Sequence, residues 1–284
     1  MLEFSSPAEL RSWTRAQRTA GRRIGFVPTM GFLHEGHLRL ADAARERADA
    51  LVMSIFVNPL QFGPQEDLAR YPRDLPRDRE LAAGRKVDLL FIPSTDTMYP
   101  PGAEVRVVPG PSGDRWEGAA RPGHFTGVLT VVAKLFHLVQ PDIACFGQKD
   151  IQQALLLRRM VRDLDWAVEV VVVPTVREPD GLAMSSRNGY LDATQRRDAL
   201  ALSAALARAH RAWSAGVRRA GELKALMEEE FRVYPRVTVD YIAIVEPETM
   251  HPIDAVDGLT IVAVAARVGS VRLIDNIILG EGVR

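Results

Sequence analysis

The sequence predicts an α/β protein in which a doubly wound parallel sheet is followed by a smaller α+β domain. Two observations support this prediction. From residue 23 to residue 173, short apolar runs alternate with helical patterns, and the runs are almost continuous in Val, Ile and Leu. Strands that helices cover on both faces have this composition. After about residue 180, long helices rich in Ala and Leu come first and a group of strands follows.

The larger domain begins with a βαβ pattern. A predicted strand at residues 23–28 (RIGFVP) precedes a helix at 38–49 and a second strand at 50–57. This spacing favours parallel strands joined by a right-handed crossover. We assign residues 1–176 to this domain. Its remaining elements are three strands and one helix, predicted at residues 88–92, 142–146, 168–173 and 151–163.

The second domain is assigned to residues 177–284. A polar segment, PTVREPDGLAMSSRNGYL, leads into it. Gly269 and Ser270 form a turn signal between its last two strands. Its predicted elements are two helices and three strands, at residues 192–213, 221–231, 237–245, 260–267 and 271–279.

Composition excludes several classes of protein. The 36 Lys and Arg residues balance the 36 Asp and Glu residues, which argues against binding nucleic acid or membranes through bulk charge. The N-terminus lacks a signal-peptide pattern, and no window reaches the roughly 18–20 apolar residues of a membrane span. Cys145 is the single cysteine, so no internal disulfide forms, and we expect a buried, unreactive thiol in a cytoplasmic protein.

The first polar loop follows the first predicted strand and reads TMGFLHEGH, residues 29–37. A helix that begins near Gly36 directs unpaired N–H groups towards a ligand, and Gly31 and Gly36 let backbone approach it closely. His34 and His37 can donate hydrogen bonds to phosphate oxygens. A zinc site is the alternative, but its helical signature separates the histidines by four residues, and no third ligand is evident. Histidines with a purely structural role remain a further alternative.

Three more polar loops lie at strand ends or between the domains. Residues 146–150 (FGQKD) place Lys149 at a helix start, with Gln153 facing the same crevice. Residues 184–188 (MSSRN) combine two hydroxyls with a guanidinium that can fork onto phosphate. Residues 56–62 (FVNPLQF) offer the amides of Asn58 and Gln61 to a small substrate with hydroxyl and carboxylate groups.

Each of these loops, taken singly, could be ordinary polar surface, a solvated lysine or a proline turn. Because ligands of such sheets bind beyond the carboxyl ends of the strands, the four loops together indicate a ligand that carries a polyphosphate. The chain lacks both GxxxxGK[ST] and a GxGxxG after the first strand. Neither a P-loop enzyme nor a dinucleotide dehydrogenase is therefore favoured.

Six segments in order resemble the pantothenate synthetase (pantoate–β-alanine ligase) family. They are PTMGFLHEGH, FVNPLQFGP, DLARYPRD, RPGHFTGV, FGQKDIQQ and MSSRNGYL, and they cover nearly the whole chain. The first and last are similar to signatures that the nucleotidylyl-transferase superfamily shares with class I aminoacyl-tRNA synthetases. The resemblance implies a Rossmann-like nucleotide-binding fold of the HIGH type, with the C-terminal domain closing over the active site.

The resemblance also implies an AMP-forming carboxylate–amine ligase. Pantoate would attack the α-phosphorus of Mg·ATP to give pantoyl adenylate and pyrophosphate, and β-alanine would then displace AMP. It further implies a homodimer in the cytoplasm, with no nucleic-acid or membrane partner. We leave the Mg²⁺ ligands unassigned, because Asp78 has Arg77 beside it where some relatives carry paired acids.

The roles of individual residues follow from the resemblance alone. His37, suited to the task by titration near neutrality, would be the donor towards the leaving pyrophosphate, with His34, Lys149 and Arg187 assisting it. Gln61, Gln153, Met30 and Asn58 would hold the smaller substrates, and Val176 would pack near adenine. The implied ATP-binding residues are Met30, Gly31, Phe32, Leu33, His34, Glu35, Gly36, His37, Gly147, Gln148, Lys149, Asp150, Val176, Met184, Ser185, Ser186 and Arg187.

Two other functions remain open at this stage. One is a nucleotidylyltransferase that stops at a stable nucleotidyl product. The other is a nucleotide-binding sensor without turnover, although a pure binder could dispense with several of His37, Lys149, Ser185 and Arg187. A tRNA-charging enzyme is disfavoured by the zero net charge and by the lack of room for an anticodon-reading domain.

Overall fold

The computed structural model describes residues 1–64 and 66–280. Within these residues, six parallel strands form the sheet of the N-terminal part, in the spatial order β1-β4-β3-β2-β5-β6. Apolar side chains occupy both faces of the sheet, so its strands are the nearly continuous apolar runs of the sequence. The strands are β1 (Leu2–Phe4), β2 (Ile24–Thr29), β3 (Ala50–Ile55), β4 (Leu89–Phe91), β5 (Ile143–Gly147) and β6 (Glu169–Val173).

Helices cover both faces of this sheet. The helices of this part of the chain are α1 (Pro7–Thr19), α2 (Glu35–Arg45), α3 (Leu75–Gly84), α4 (Thr95–Met98), α5 (Glu117–Ala120), α6 (His124–Val139) and α7 (Ile151–Asp163). One core cluster joins α1, α6 and α7 to one face, through residues such as Leu10, Phe136 and Leu157. A second joins α2 and α3 to the opposite face, through Ala41 and Ala82.

The strand order creates a switch point between β2 and β5. From β2 the chain adds β3 and β4 on one side, and β5 and β6 lie on the other. Loops that leave the carboxyl ends of β2 and β5 therefore diverge around a crevice, which is where open α/β sheets bind ligands. The histidine loop follows β2, and the lysine loop follows β5.

The C-terminal part packs two helices on an antiparallel sheet of order β7-β8-β9. Alternate residues such as Ile244 and Val262 face the helices, whereas Ala243 and Ile261 face Ile151 at the start of α7. Both faces of this sheet are thus buried, which accounts for the apolar run of β8. The elements are α8 (Ala193–Ser214), α9 (Ala220–Arg232), β7 (Val237–Val245), β8 (Thr260–Val268) and β9 (Val271–Leu279).

The fold class predicted from the sequence is confirmed, and the structure adds to it and corrects it. The strand taken as the first is the second, because β1 adds a short edge strand beside β4. The helix expected at 38–49 begins at Glu35 and ends at Arg45, since the His34 side chain caps its first turn. Helices α1, α3 and α6 were not predicted. The boundary at residue 176 stays a prediction. None of the described helices combines the length and apolar character needed to cross a membrane.

Candidate active site

The loop between β2 and α2 turns sharply and is held by a buried carboxylate. Gly31 has φ +80°, and Phe32 has φ +50°, so two successive residues adopt left-handed backbone conformations. The N–H groups of Phe32 and Leu33 donate to the two carboxylate oxygens of Asp78, at 2.8 and 2.6 Å. Asp78 is 1% exposed. The carboxylate therefore compensates two N–H groups that the turn leaves without backbone partners.

Arg77, beside Asp78 on α3, secures the same loop from its outer side. Its guanidinium donates to the carbonyl oxygen of Leu33 at 2.9 Å and lies 5.6 Å from the centre of the Phe32 ring. The position that the sequence left open for a metal thus supports backbone instead. Each oxygen of Asp78 accepts one amide N–H group.

The two histidines of this loop cap helix α2. Nδ1 of His34 accepts from the Gly36 N–H at 3.2 Å, and Nδ1 of His37 accepts from the His34 N–H at 3.3 Å. The ring centres are 4.1 Å apart. Because an accepting Nδ1 carries no proton, each neutral imidazole carries its proton on Nε2. A side chain at position 36 would collide with the His34 ring, whose Cε1 lies 2.8 Å from the place of a Cβ, so the ring would have to leave its capping position.

Burial keeps both imidazoles uncharged. It is the main cause that lowers the pKa of His34 from 6.5 to about 4, and the positive charge of Lys149 adds to it. Burial and then the neighbouring His34 and Lys149 hold the pKa of His37 well below 6.5. The expectation that His37 titrates near neutrality is therefore wrong: at neutral pH it is a fixed, uncharged donor.

The lysine loop after β5 is held by the C-terminal sheet. Asn276 of β9 donates from Nδ2 to the carbonyl oxygens of Gln148 and Lys149, at 2.8 and 3.0 Å. In return, Nε2 of Gln148 donates to Oδ1 of Asn276 at 3.2 Å. The Lys149 ammonium lies 4.0 Å from Asp150 and is largely covered. Its position thus depends on contacts between the two parts of the chain.

The loop at residues 184–187 contacts the histidine loop. Oγ of Ser186 donates to the Phe32 carbonyl oxygen at 3.5 Å, and Ser185 caps the turn by accepting from the Arg187 N–H at 3.3 Å. Arg187 forms a two-point ion pair with Asp67, with both N···O distances at 2.9 Å. Burial alone would raise the pKa of Asp67, but the Arg187 guanidinium overrides it and lowers that pKa.

These loops surround a cleft of about 170 Å³. Its polar lining combines His37, Gln61, Asp150, Gln153 and Arg187 with groups that the sequence analysis did not single out. The apolar wall comes from one face of α6, whose residues recur at helical spacing. The additional polar residues are Tyr71, Arg121 and His124, and the wall residues are Val128, Val131, Val132 and Leu135.

A family model described as pantoate-beta-alanine ligase matches residues 3–278. The chain belongs to the pantoate–β-alanine ligase family. A pantothenate synthetase from Moorella thermoacetica is 53% identical over 272 residues, which is 96% of each chain.

Two crystal structures of this ligase family are also similar. The pantothenate synthetase of Thermus thermophilus has a TM-score of 0.92 at 51% identity and covers 98% of this chain and 99% of its own. The pantoate-beta-alanine ligase of Francisella tularensis, complexed with beta-gamma ATP and beta-alanine, has a TM-score of 0.82 at 33% identity. It covers 98% of this chain and 97% of its own.

Not every residue assigned through the ligase family directs its side chain into the cleft. Leu33 is completely buried, and the Glu35 carboxylate turns to Arg85, with both N···O distances at 2.9 Å. Asn58 borders the cleft, but it is 1% exposed, and all its hydrogen-bonding groups are used within the protein. The backbone carbonyl of Val176 accepts a hydrogen bond from the Met184 N–H at 3.0 Å, so the chain folds back on itself between these two residues.

Sequence reasoning passed over polar residues that shape the ligase cleft. Nδ1 of His124 lies 2.9 Å from the Gln61 carbonyl oxygen, and Arg121 donates to the same oxygen at 3.1 Å. Because a carbonyl can only accept, His124 carries its proton on Nδ1 and accepts from Arg121 at Nε2, 3.0 Å away. The segment RPGHFTGV contained this signal, since both residues belong to it.

The structure offers neither a zinc cage nor a reactive thiol among residues 1–64 and 66–280. In that part of the chain no three His, Cys, Asp or Glu side chains come together as metal ligands. Cys145 is completely buried, and burial raises the pKa of its thiol to about 12. The prediction that Cys145 is buried is confirmed.

Proposed function

We propose that this chain joins pantoate to β-alanine at the expense of ATP, with pantoyl adenylate as the intermediate. The observation that carries the proposal is the pair of neutral imidazoles. Helix α2 holds them so that Nε2–H groups are the free donors, beside a cleft lined by amides and an apolar helix face. The family to which the chain belongs supports the choice of substrates.

In the first step, a carboxylate oxygen of pantoate attacks the α-phosphorus of ATP. The bond from that phosphorus to the bridging oxygen breaks, and pyrophosphate leaves with the electron pair. His34 and His37 donate from Nε2 to phosphate oxygens as charge develops on them, and Lys149 supplies the positive charge. Because the donors are held before reaction, little reorganisation is needed in the transition state.

In the second step, the neutral amine of β-alanine attacks the acyl carbon of the adenylate. The carbon–oxygen bond to AMP breaks, AMP leaves with the electron pair, and the amine loses a proton to solvent. No protein nucleophile takes part. The high pKa of the buried Cys145 thiol agrees with this scheme.

The cleft suits pantoate, and the loops around it suit the nucleotide. Gln61 and Gln153 would bind the hydroxyl and carboxylate oxygens, while Met30 and the α6 wall cover the two methyl groups. The remaining nucleotide contacts would come from the backbone of residues 30–37, from Gly147 to Asp150, from Val176 near adenine, and from Met184 to Arg187. Asn58 and Glu35 would act through Gln61 and through the loop backbone, since their side chains are occupied.

Mg²⁺ is expected to enter with ATP, held by phosphate oxygens and water. Among the described residues no cluster offers it a cage, and both oxygens of Asp78 already accept backbone N–H groups. We therefore assign it no protein ligand. The family resemblance also supports a cytoplasmic homodimer as part of this proposal.

The decisive experiment is ATP–pyrophosphate exchange with pantoate and Mg²⁺, without β-alanine. We expect exchange without net release of AMP, and stoichiometric AMP release once β-alanine is added. His37→Asn keeps an acceptor for the His34 N–H but removes the imidazole, and should slow exchange about 100-fold or more. Exchange with a different acid would indicate another adenylate-forming ligase. Absence of exchange with any acid would indicate a nucleotide-binding protein without turnover.

A further inference from the structure

We infer that Tyr99 and Asn58 are positioning residues that orient the Gln61 side-chain amide, so that its NH₂ group faces the cleft. Gln61 then presents donors, and not an acceptor, to the acid substrate. This inference rests on the proposed function and deepens it. Through Gln61, Asn58 and Tyr99 would select an anionic oxygen at this point of the cleft, although the hydrogen-bonding groups of Asn58 are all used within the protein and Tyr99 does not line the cleft.

The orientation of Asn58 is fixed by backbone groups whose roles are unambiguous. Its Oδ1 accepts from the Leu60 N–H at 3.3 Å, and its Nδ2 donates to the Gly127 carbonyl oxygen at 3.1 Å. Rotation of the amide by half a turn would place NH₂ against an N–H group and oxygen against a carbonyl. Because Asn58 is 1% exposed, no water could compensate that mismatch.

Tyr99 reinforces this orientation from the other side. Its hydroxyl lies 2.9 Å from Oδ1 of Asn58, and an amide oxygen can only accept, so Tyr99 must donate. Burial raises the pKa of the Tyr99 hydroxyl to about 12, which keeps the proton in place at neutral pH. The Lys134 ammonium lies 5.9 Å from the centre of the Tyr99 ring. The Phe56 ring packs beside the Tyr99 ring, with 6.1 Å between the ring centres.

The second proton of the Asn58 amide determines how Gln61 is oriented. Nδ2 of Asn58 lies 3.1 Å from Oε1 of Gln61, so this oxygen must accept and is turned away from the substrate. The Gln61 NH₂ group is left on the cleft side, 3.1 Å from the sulfur of Met30. Arg121 and His124 also bind the backbone carbonyl oxygen of Gln61, so the main chain of this residue is held in place as well.

The chain of hydrogen bonds from Tyr99 through Asn58 to Gln61 has a chemical consequence. An NH₂ group binds a carboxylate or hydroxyl oxygen, whereas an amide oxygen would repel a carboxylate. A carboxamide analogue of the substrate offers a donor of its own, so it tolerates the reversed amide. The relative affinity for acid and carboxamide therefore reports which way Gln61 points.

The first test uses Asn58→Asp and Tyr99→Phe, with isothermal titration of pantoate and of its primary carboxamide, pantoamide. Asn58→Asp removes the donor to Gln61, which should reverse its amide and weaken pantoate at least tenfold, with pantoamide unchanged or tighter. Tyr99→Phe, which keeps the ring, should shift the same ratio about threefold. Equal weakening of both ligands, or an unchanged ratio, would overturn the inference.

A second test needs no substrate. In protein with ¹⁵N-labelled glutamine, the side-chain NH₂ signals of Gln61 are identified by their loss in Gln61→Glu. They should move in Tyr99→Phe and stay in place in Tyr234→Phe, a matched change at a partly buried tyrosine that packs against the C-terminal core. Unmoved Gln61 signals in Tyr99→Phe would refute the hydrogen-bond chain. Failure of the wild type to bind pantoate, with the signals moving as expected, would refute only the proposed substrate.

Discussion

Single hydrogen-bonding atoms decide what the histidine loop can do. The accepting Nδ1 atoms of His34 and His37 commit both imidazoles to one tautomer, and burial keeps them neutral. The result is a pair of directional, uncharged donors. The fixed charge comes instead from Lys149, so direction and charge are supplied by different residues.

Asp78 offers a test at the same scale. Asp78→Asn keeps one acceptor oxygen, but its NH₂ group would face an N–H group of Phe32 or Leu33. Loss of one charge-assisted hydrogen bond costs on the order of 2 kcal/mol, so ATP affinity should fall about 10- to 30-fold. The loss should be equal with Mg²⁺ and with EDTA, as measured by calorimetric titration of a non-hydrolysable ATP analogue.

The control is Asp74→Asn, in which the side chain keeps an acceptor for the Arg77 N–H at the start of the same helix. It should leave ATP affinity within about twofold. If Asp78→Asn weakened ATP only in the presence of Mg²⁺, the carboxylate would be a metal ligand, and its role in holding the loop would be refuted.

At the scale of elements, α6 does more than cover the sheet. A Cβ on Gly127 would lie 2.2 Å from the Leu60 carbonyl oxygen and 2.6 Å from the Gln61 nitrogen. The turn at residues 58–61 therefore rests directly on the helix backbone. Only glycine allows this approach, and the turn carries Gln61 into the cleft.

Gly127→Ala should displace that turn. We expect the Michaelis constant for pantoate to rise at least tenfold and the free energy of unfolding to fall by about 1–3 kcal/mol, because backbone on both sides resists the shift. Steady-state kinetics and urea unfolding measure the two effects. Gly84→Ala, in a helix with open space around its Cβ position, is the matched control and should not weaken either property. Unchanged kinetics in Gly127→Ala would show that the turn is not held by this contact.

The elements that the sequence revealed are those with a regular pattern. Strands β2, β5 and β6 are compact apolar runs, and α7 shows a clear amphipathic period, so their positions agree within about two residues. Helix α6 was missed because HFTGVLTVVAKLFHLV is apolar on nearly every side and rich in β-branched residues. Helix α1 was also missed, although its start carries a signal, because Ser6 caps it and Pro7 is its first residue.

The candidate site was predictable only in part, for a related reason. Its loops stand at strand ends, and strand ends can be placed from the pattern. The supporting contacts cannot: Asp78 is separated from Phe32 by 46 residues, and Tyr99 from Asn58 by 41. Nothing local marks such residues, because their partners are chosen by packing. The protonation of His37 was misjudged for the same reason, since burial is a property of the folded chain.

At the scale of the whole molecule, three histidines make stability depend on pH. The folded pKa values of His34 and His124 are about 4, that of His37 is also lowered, and the ordinary value is 6.5. Between these values the unfolded chain takes up protons that the folded chain does not. The contribution of these histidines to the free energy of unfolding is therefore fully present above about pH 6.5. It falls as the pH drops towards 4, by up to about 1.4 kcal/mol per pH unit for each histidine.

Urea unfolding at pH 7, 6 and 5 should show this decline before most carboxylates begin to titrate. His124→Gln keeps a side-chain donor for the backbone carbonyl oxygen of Gln61 but removes one titrating group. The free energy of unfolding should then decline less steeply with pH, by up to about 1.4 kcal/mol per pH unit. Identical free energies of unfolding at pH 7 and pH 5 in the parent chain would contradict the assignment of neutral, buried imidazoles.

The C-terminal sheet, with both of its faces covered, limits how such a protein could be rebuilt by exchanging parts. One face of the sheet packs against α8 and α9, and the other packs against Ile151. Asn276 of the same sheet donates hydrogen bonds to two carbonyl oxygens of the lysine loop. A foreign domain grafted after β6 would have to bring an amide and an apolar patch to the same places. Replacing the outer helices by recombination should therefore be easier than replacing this sheet, since a chimera would lose the shape of its lysine loop before it lost its strands.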